Sequence, residues 1–226
     1  MLPMISRKSE HPFDAGAAGV APGQAAETRE SHDERLNHAL AAATELIAQV
    51  GYDKASVRAV AKAADVSLAG LYHYFDSKEK MLFLIQTRTF NALVTGLREK
   101  LHGVADPLEQ LRVMVRAHVD YFAANMAALK VCSHELDSLS GEAYEETRRL
   151  RREYYDLARG IVDRIFAAHA PEGRLDRHTA TMSLFGMLNW LYRWYTPKGG
   201  YSPATVANQI TALFLHGMLG EERRGL

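Results

Sequence analysis

The chain has 226 residues, of which 47% are hydrophobic and 24% are charged. This composition predicts a soluble protein that is long enough to bury one or two cores. Its apolar runs are too short to span a bilayer, and its single cysteine, Cys132, excludes an internal disulfide framework. The 27 basic residues balance the 27 acidic ones, so a strongly basic nucleic-acid-binding surface is absent. We expect a cytoplasmic protein with no membrane partner.

Residues 1–28 mix Ala, Gly and Pro without periodicity and predict a mobile tail. The first helix is predicted to begin at Ser31, because its spacing to Glu34 is that of a capping box. Gly51 is expected to end this helix. Apolar residues between these two points recur at helical spacing on one face: Leu36, Ala39, Leu40, Ala43, Leu46, Ile47 and Val50.

Two short helices joined by a tight turn are predicted next. Ser56 is placed to cap the first, and Ser67 is placed to cap the second. Asp65 lies between them and belongs to the few residue types besides glycine that tolerate a left-handed conformation. Two helices joined by a turn of this length have helix-turn-helix geometry, which predicts a DNA-reading module.

The second short helix, residues 68–74, is unusual in what it exposes. Leu71 and Phe75 are four residues apart and are expected to face inward, whereas small and aromatic residues face outward. The outward set is Ala69, Gly70, Tyr72, His73 and Tyr74. Small residues allow close approach to a major groove, and hydroxyl and imidazole groups can bond phosphates or base edges. The alternative is that Tyr72, Tyr74 and Phe75 are ordinary core aromatics.

Ser77 and Lys78 begin the following helix. A cation in the first turn opposes the helix dipole, so Lys78 indicates a nearby anion such as a phosphate.

Three segments follow one another in this region: V-R-A-V-A-K-A-A-x-V-S, L-Y-H-Y-F and S-K-E-K-M-L. Their sequence resembles that of the TetR family of repressors. In that family three N-terminal helices bind DNA, while a variable helical domain binds a small molecule and dimerises. The resemblance implies a double-stranded DNA operator, a small-molecule effector and a homodimer. It also implies DNA contacts from Ser56, Arg58, Ser67, Leu68, Ala69, Gly70, Tyr72, His73, Tyr74 and Lys78.

Two departures from the family pattern affect the recognition helix and its turn. Asp65 occupies the position that glycine usually holds in the turn. Residues 68–70 read Leu-Ala-Gly where many relatives have a basic residue, a glycine and a threonine. The predicted recognition helix therefore lacks the arginine that reads guanine with two hydrogen bonds, and the operator sequence cannot be deduced from it.

The rest of the chain shows only helical periodicity. A long helix is predicted from Ser77 to Leu101, and the next begins at Asp106-Pro107 with an inner face that reaches Phe122. Later helices cover about residues 127–139, 142–169, 177–195 and 203–219. We therefore predict an all-α fold of about nine helices. Its expected parts are the tail, a helix-turn-helix DNA-binding domain at residues 29–76, and a helical ligand-binding and dimerisation domain at residues 77–226.

Residues 184–199 contain two tryptophans, Trp190 and Trp194, one helical turn apart. Both could be buried packing residues, or they could form the wall of a pocket beside a dimer interface made by the last two helices. Interface candidates in this region are Phe185, Leu188, Ile210, Leu213, Phe214 and Gly217. The stretch also looks like TetR-family regulators of fatty-acid, steroid or aromatic-acid degradation that respond to acyl-CoA thioesters.

A basic cluster spans residues 148–152. It could be a solvated helix face paired with neighbouring acids, or its Arg149 and Arg152 could meet the phosphates of coenzyme A. The full set of ligand candidates is Phe122, His134, Arg149, Arg152, Tyr155, Trp190 and Trp194.

Motifs for catalysis, nucleotide binding and metal binding are missing from the sequence, so we expect no enzyme, no cofactor and no metal. Cys132 is expected to be a small buried hydrophobic residue. The sequence thus predicts a repressor released from a palindromic operator by a small molecule. Two alternatives stay open: the same fold with a drug or signal molecule as inducer, and a helical module whose Tyr72–Tyr74 surface binds protein.

Overall fold

The structure, a computed structural model, describes residues 22–169 and 175–219. Nine helices of seven or more residues occur in these ranges, together with the single-turn α9 and a 3₁₀ turn at Leu136–Ser138. The helices are α1 (Pro22–Val50), α2 (Val57–Ala63), α3 (Leu68–Tyr74), α4 (Lys78–Leu101), α5 (Pro107–Ala124), α6 (Met126–His134), α7 (Gly141–His169), α8 (Arg177–Asn189), α9 (Leu191–Trp194) and α10 (Pro203–Leu219). No strand occurs in the described part of the chain, which confirms the all-α prediction.

The predicted beginning of α1 at Ser31 is wrong, because the backbone is already helical from Pro22. The residues that precede Ser31 include Ala, Glu and Arg, which favour helix and let it extend past a capping signal. Residues 1–21 of the predicted tail lie outside the described residues. The described part of the chain divides into two compact units, one ending at Leu36 and one beginning at Asn37, and the second contains both candidate binding sites.

Helix α5 forms the centre of the larger unit. It packs against α4, α7 and α10, and its side chains Met114, Val115 and Val119 are fully buried. The start of α5 follows from the sequence, because the Asp106 carboxylate accepts a hydrogen bond from the Glu109 amide at 3.0 Å and Pro107 occupies the first turn. A rigid, well-capped helix therefore supports one wall of the cavity in this unit.

The predicted helix over residues 177–195 is interrupted. Helix α8 ends at Asn189, Trp190 connects the two segments, and α9 is a single turn. Trp190 and Trp194 are each more than half exposed, which rules out the alternative that both are buried packing residues. None of the helices described is long and apolar enough to cross a membrane.

Candidate functional site

The DNA-reading part of the chain, which we call the head and define as residues 37–76, has the predicted caps. The Ser56 hydroxyl accepts a hydrogen bond from the Ala59 amide at 3.1 Å, and Ser67 accepts one from Gly70 at 3.0 Å. Each hydroxyl retains its own proton as a donor toward a phosphate. Asp65 has φ 52°, which confirms the left-handed turn between α2 and α3.

Helix α3 has one buried edge and one exposed face. Leu71 is fully buried and Phe75 is 3% exposed, so these two side chains anchor the helix in the head. Tyr72 is 50% exposed and His73 is exposed as well, whereas Tyr74 is half-buried. The core-aromatic alternative therefore holds for Phe75 but not for Tyr72, whose contact with DNA stays a prediction.

Two cations flank this face. Arg58 is exposed in the first turn of α2. The Lys78 ammonium already donates to the Asp53 carbonyl at 3.1 Å and lies 4.1 Å from the ring centre of Tyr52. Lys78 thus fixes the loop before α2, and its predicted phosphate contact has to share the ammonium with these two groups.

A cavity of about 830 Å³ lies among the helices that follow the head. This volume suits a drug-sized or larger organic ligand. The lining residues come from α4 to α9 and from Trp190. They are Phe90, Leu93, His118, Phe122, Leu129, Cys132, Ser133, His134, Arg148, Arg151, Arg152, Tyr154, Tyr155, Asp156, Arg159, His178, Met182, Phe185, Gly186, Asn189, Trp190 and Tyr192.

The buried end of the cavity is aromatic with one polar pair. His118 Nδ1 and the Tyr154 hydroxyl are 3.1 Å apart, and each residue is at most 3% exposed. The rings of Phe122 and Phe185 lie 4.8 Å and 6.4 Å from the His118 ring. Burial lowers the pKa of His118 to about 3 and raises the pKa of Tyr154. Both side chains are therefore neutral at physiological pH.

Arginines surround the outer part of the cavity. Arg148 and Arg159 are paired with Glu145 and Asp163 at 3.4 Å and 2.9 Å. Arg152 is exposed and has no ion pair with any residue that the structure describes. We call these arginines, Arg148, Arg152 and Arg159, the rim. The rim offers positive charge to an anionic group outside the apolar end of the cavity.

Arg151 is the most deeply placed of these cations. It donates to the Cys132 carbonyl and stacks on Phe90 at 5.2 Å. Burial lowers its pKa, the change expected for a cation moved away from water. Cys132 itself is 3% exposed, and burial raises its thiol pKa to about 12, so it is the buried hydrophobic residue that the sequence predicted.

Helix α6 connects the cavity to the head. On one side it supplies Leu129, Cys132, Ser133 and His134 to the cavity. On the other side, Lys130 donates to the carbonyl of Ala48 at the end of α1. Just beyond α6, the Glu135 carboxylate accepts a hydrogen bond from the Tyr52 amide at 3.2 Å, and the Glu135 carbonyl accepts one from Gln86 of α4 at 3.0 Å.

Family models match both parts of the chain. The model for bacterial regulatory proteins of the tetR family covers residues 39–85, and the model for the tetracyclin repressor-like C-terminal domain covers residues 104–218. The chain belongs to the TetR family. TetR-family members are ligand-responsive transcriptional regulators, so the head is a helix-turn-helix DNA-binding module.

Individual relatives agree with this assignment. The HTH-type transcriptional repressor KstR2 of Rhodococcus jostii is 27% identical over 81% of this chain and 91% of its own length. The crystal structure of the TetR-family regulator PfmR from Thermus thermophilus has 34% identity, covers 82% of this chain and 99% of that one, and gives a TM-score of 0.71. AibR in complex with isovaleryl coenzyme A and operator DNA shares the fold, at 24% identity over 79% of this chain and 97% of its own, with a TM-score of 0.70.

For this TetR-family chain, the structure brings five of the predicted ligand residues to the cavity. These are Phe122, His134, Arg152, Tyr155 and Trp190. Arg149 and Trp194 are not among the residues that line this cavity, and their ligand contacts stay a prediction. Arg149 instead pairs with Glu146 and Glu153, at 2.8 Å and 3.3 Å, on another face of α7.

The predicted dimer residues also separate into groups. Leu188, Ile210 and Phe214 are at most 6% exposed within one chain, and their interface contacts stay a prediction. Phe185 lines the cavity instead. Leu213, at 69% exposure, and Gly217 lie on the exposed face of α10, a helix without any Asp, Glu, Lys or Arg. For these two residues the dimer contact stays a prediction.

Sequence reasoning missed His118, Arg151 and Tyr154, although two patterns could have identified this wall. His118 lies at helical spacing within the apolar face of α5 formed by Leu111, Val115 and Phe122, where a polar ring is unusual. On α7, three cavity residues recur at steps of three: Arg148, Arg151 and Tyr154.

Proposed function

We propose that the protein is a cytoplasmic homodimeric repressor that leaves a roughly palindromic operator when an acyl-CoA thioester enters the cavity. The observation that carries the ligand class is the polarity of the cavity, which has an aromatic buried end and an arginine-lined rim. An acyl group suits the first and the phosphates of coenzyme A suit the second. The AibR complex with isovaleryl coenzyme A and operator DNA supports the proposal, because it has the same fold.

On the DNA side, the two heads of a dimer would occupy successive major grooves through the exposed face of α3. Tyr72 and His73 are the central contacts of this face, supported by the hydroxyls of Ser56 and Ser67 and by Arg58. The other predicted contacts on α3 are Leu68, Ala69, Gly70 and Tyr74. Because α3 carries no Lys or Arg, affinity depends on contacts from both heads at once.

On the ligand side, release follows if the thioester binds better to a dimer arrangement whose head separation no longer fits DNA. The size of the shift is limited by the difference in ligand affinity between the two arrangements. Helix α4 runs from the head to the cavity residues Phe90 and Leu93, and α6 connects the two regions a second time. Both helices are therefore candidate routes for the change.

The test is fluorescence anisotropy with labelled DNA from the protein's own promoter region, titrated with acyl-CoA thioesters and with the matching free acids. We expect salt-sensitive binding that a thioester releases and the free acid does not. Binding that ignores every thioester would leave the repressor and reject this ligand class, which would favour a drug or signal molecule. Absence of salt-sensitive DNA binding would favour the protein-interaction module.

Two arginines on the same helix supply a matched pair of variants. Arg152→Ala removes a rim cation that forms no ion pair within the described ranges, and we expect thioester affinity to fall about tenfold. Arg149→Ala removes an equally basic residue that lies away from the cavity and is held by Glu146. Equal losses of thioester affinity in the two variants would show general electrostatic attraction instead of a phosphate contact at the rim.

A further inference from the structure

The buried end of the cavity contains a hydrogen-bonding group that the protein leaves unsatisfied. Nδ1 of His118 bonds the Tyr154 hydroxyl, but Nε2 of His118 is buried and has no partner among the residues described. A purely apolar ligand would leave this nitrogen unpaired in a site closed to water. Buried polar groups normally have partners, so an unpaired one inside a ligand cavity calls for an explanation.

The chemistry of the pair shows what kind of partner is missing. A neutral imidazole carries one proton, on either Nδ1 or Nε2. If Tyr154 donates to Nδ1, the proton is on Nε2 and this N–H is free. If Nδ1 donates to Tyr154, the tyrosine O–H is free and Nε2 is an acceptor without a donor. In both arrangements one N–H or O–H donor is left over, and what it requires is an acceptor atom.

The surroundings of the pair restrict that acceptor to a neutral one. The His118 ring is packed against Phe122 and Phe185, and Tyr154 lies 5.9 Å from Phe185. A carboxylate would lose its hydration among these rings without gaining a cation, whereas a carbonyl or hydroxyl oxygen costs far less to bury. The arginines that would attract a negative group are on the rim.

We infer that the effector carries a neutral oxygen, a carbonyl or a hydroxyl, on its acyl group in addition to the thioester carbonyl, and that His118 and Tyr154 recognise it. This inference rests on the proposed function and narrows it, because it replaces any acyl-CoA by one whose acyl group carries this second oxygen. A plain alkyl or phenyl group of the same size binds more weakly, because it leaves the donor unpaired.

The experiment compares thioesters that differ by one oxygen. The probes are 4-hydroxyphenylacetyl-CoA against phenylacetyl-CoA, and 4-oxocyclohexanecarbonyl-CoA against cyclohexanecarbonyl-CoA, with affinities measured by titration calorimetry. In the wild type at least one oxygenated probe should bind about tenfold tighter than its partner. In the double variant His118→Phe with Tyr154→Phe, which removes both donors and keeps two rings, this ratio should fall to near one.

Tyr121→Phe is the control, because Tyr121 lies on α5 with His118 and loses one hydroxyl in the same way, but it does not line the cavity. It should leave the ratio unchanged. Equal affinity within both pairs in the wild type overturns the inference without any variant, and so does a ratio that survives in the double variant. If no thioester binds, the methyl esters of the same acids decide: a preference for the oxygenated ester supports the inference while rejecting the thioester, and no preference rejects both.

Discussion

His118 should contribute to destabilisation of this protein by acid. Its folded-state pKa is about 3, because burial opposes the charged form, against about 6.5 in the unfolded chain. Above pH 6.5 the imidazole is neutral in both states and has no effect. As the pH falls below 6.5, only the unfolded state takes up a proton, so folding stability is lost progressively until the pH approaches 3.

From these values we expect the free energy of unfolding to fall by about 2 kcal/mol per chain between pH 7 and pH 5. This loss corresponds to a melting temperature lower by about 4–8 °C. Other groups titrate as well, so the informative quantity is the difference between wild type and His118→Phe. That variant should lose about 2 kcal/mol less over the same interval.

The assay is urea unfolding at both pH values with the protein concentration held fixed, since a dimer's stability depends on it. His102→Phe serves as the control, because His102 is an exposed histidine just after α4. If wild type and His118→Phe lose the same stability between pH 7 and pH 5, the folded protein protonates His118 and the argument for a neutral buried imidazole fails.

Three further predictions concern the head. Leu71→Ala should cost about 2–5 kcal/mol in urea unfolding, because Leu71 is fully buried and anchors α3. Asp65→Val should lower the free energy of unfolding by about 1–2 kcal/mol, because a β-branched residue does not tolerate φ 52°. Asp65→Gly should not lower it. Equal stability of the two variants would contradict a strained turn at this position. Tyr72→Ala should weaken operator binding about tenfold without changing its salt dependence. Arg58→Ala should reduce the slope of log affinity against log salt concentration by about one. Fluorescence anisotropy at several salt concentrations distinguishes these two effects.

The sequence was informative at several places where the structural signal is local, although the capping box at Ser31 did not mark the start of α1. The caps at Ser56, Ser67 and Asp106 and the left-handed Asp65 depend on a few neighbouring residues, so pattern and structure agree there. The domain boundary at residue 76 stays a prediction.

The cavity was harder to predict because it depends on which face of each helix turns inward. Arg149 and Arg152 have the same composition around them, yet only Arg152 lies at the cavity. That choice is made by packing of α7 against α4 and α5, and no local pattern records it. Likewise the exposure of Trp190 and Trp194 follows from the break after Asn189, which the apolar periodicity of the region conceals.

Helix α6 has a consequence for how the two binding sites depend on each other. Its nine residues supply cavity wall from Cys132 and a hydrogen bond to the end of α1 from Lys130, so one short helix contacts both the cavity and the head. Any factor by which the effector lowers the affinity for DNA is, by thermodynamic necessity, the factor by which DNA lowers the affinity for the effector. A dimer bound to its operator therefore requires a higher effector concentration for half-saturation than the same dimer free in solution. The amount of operator in the cell thus contributes to setting the response threshold.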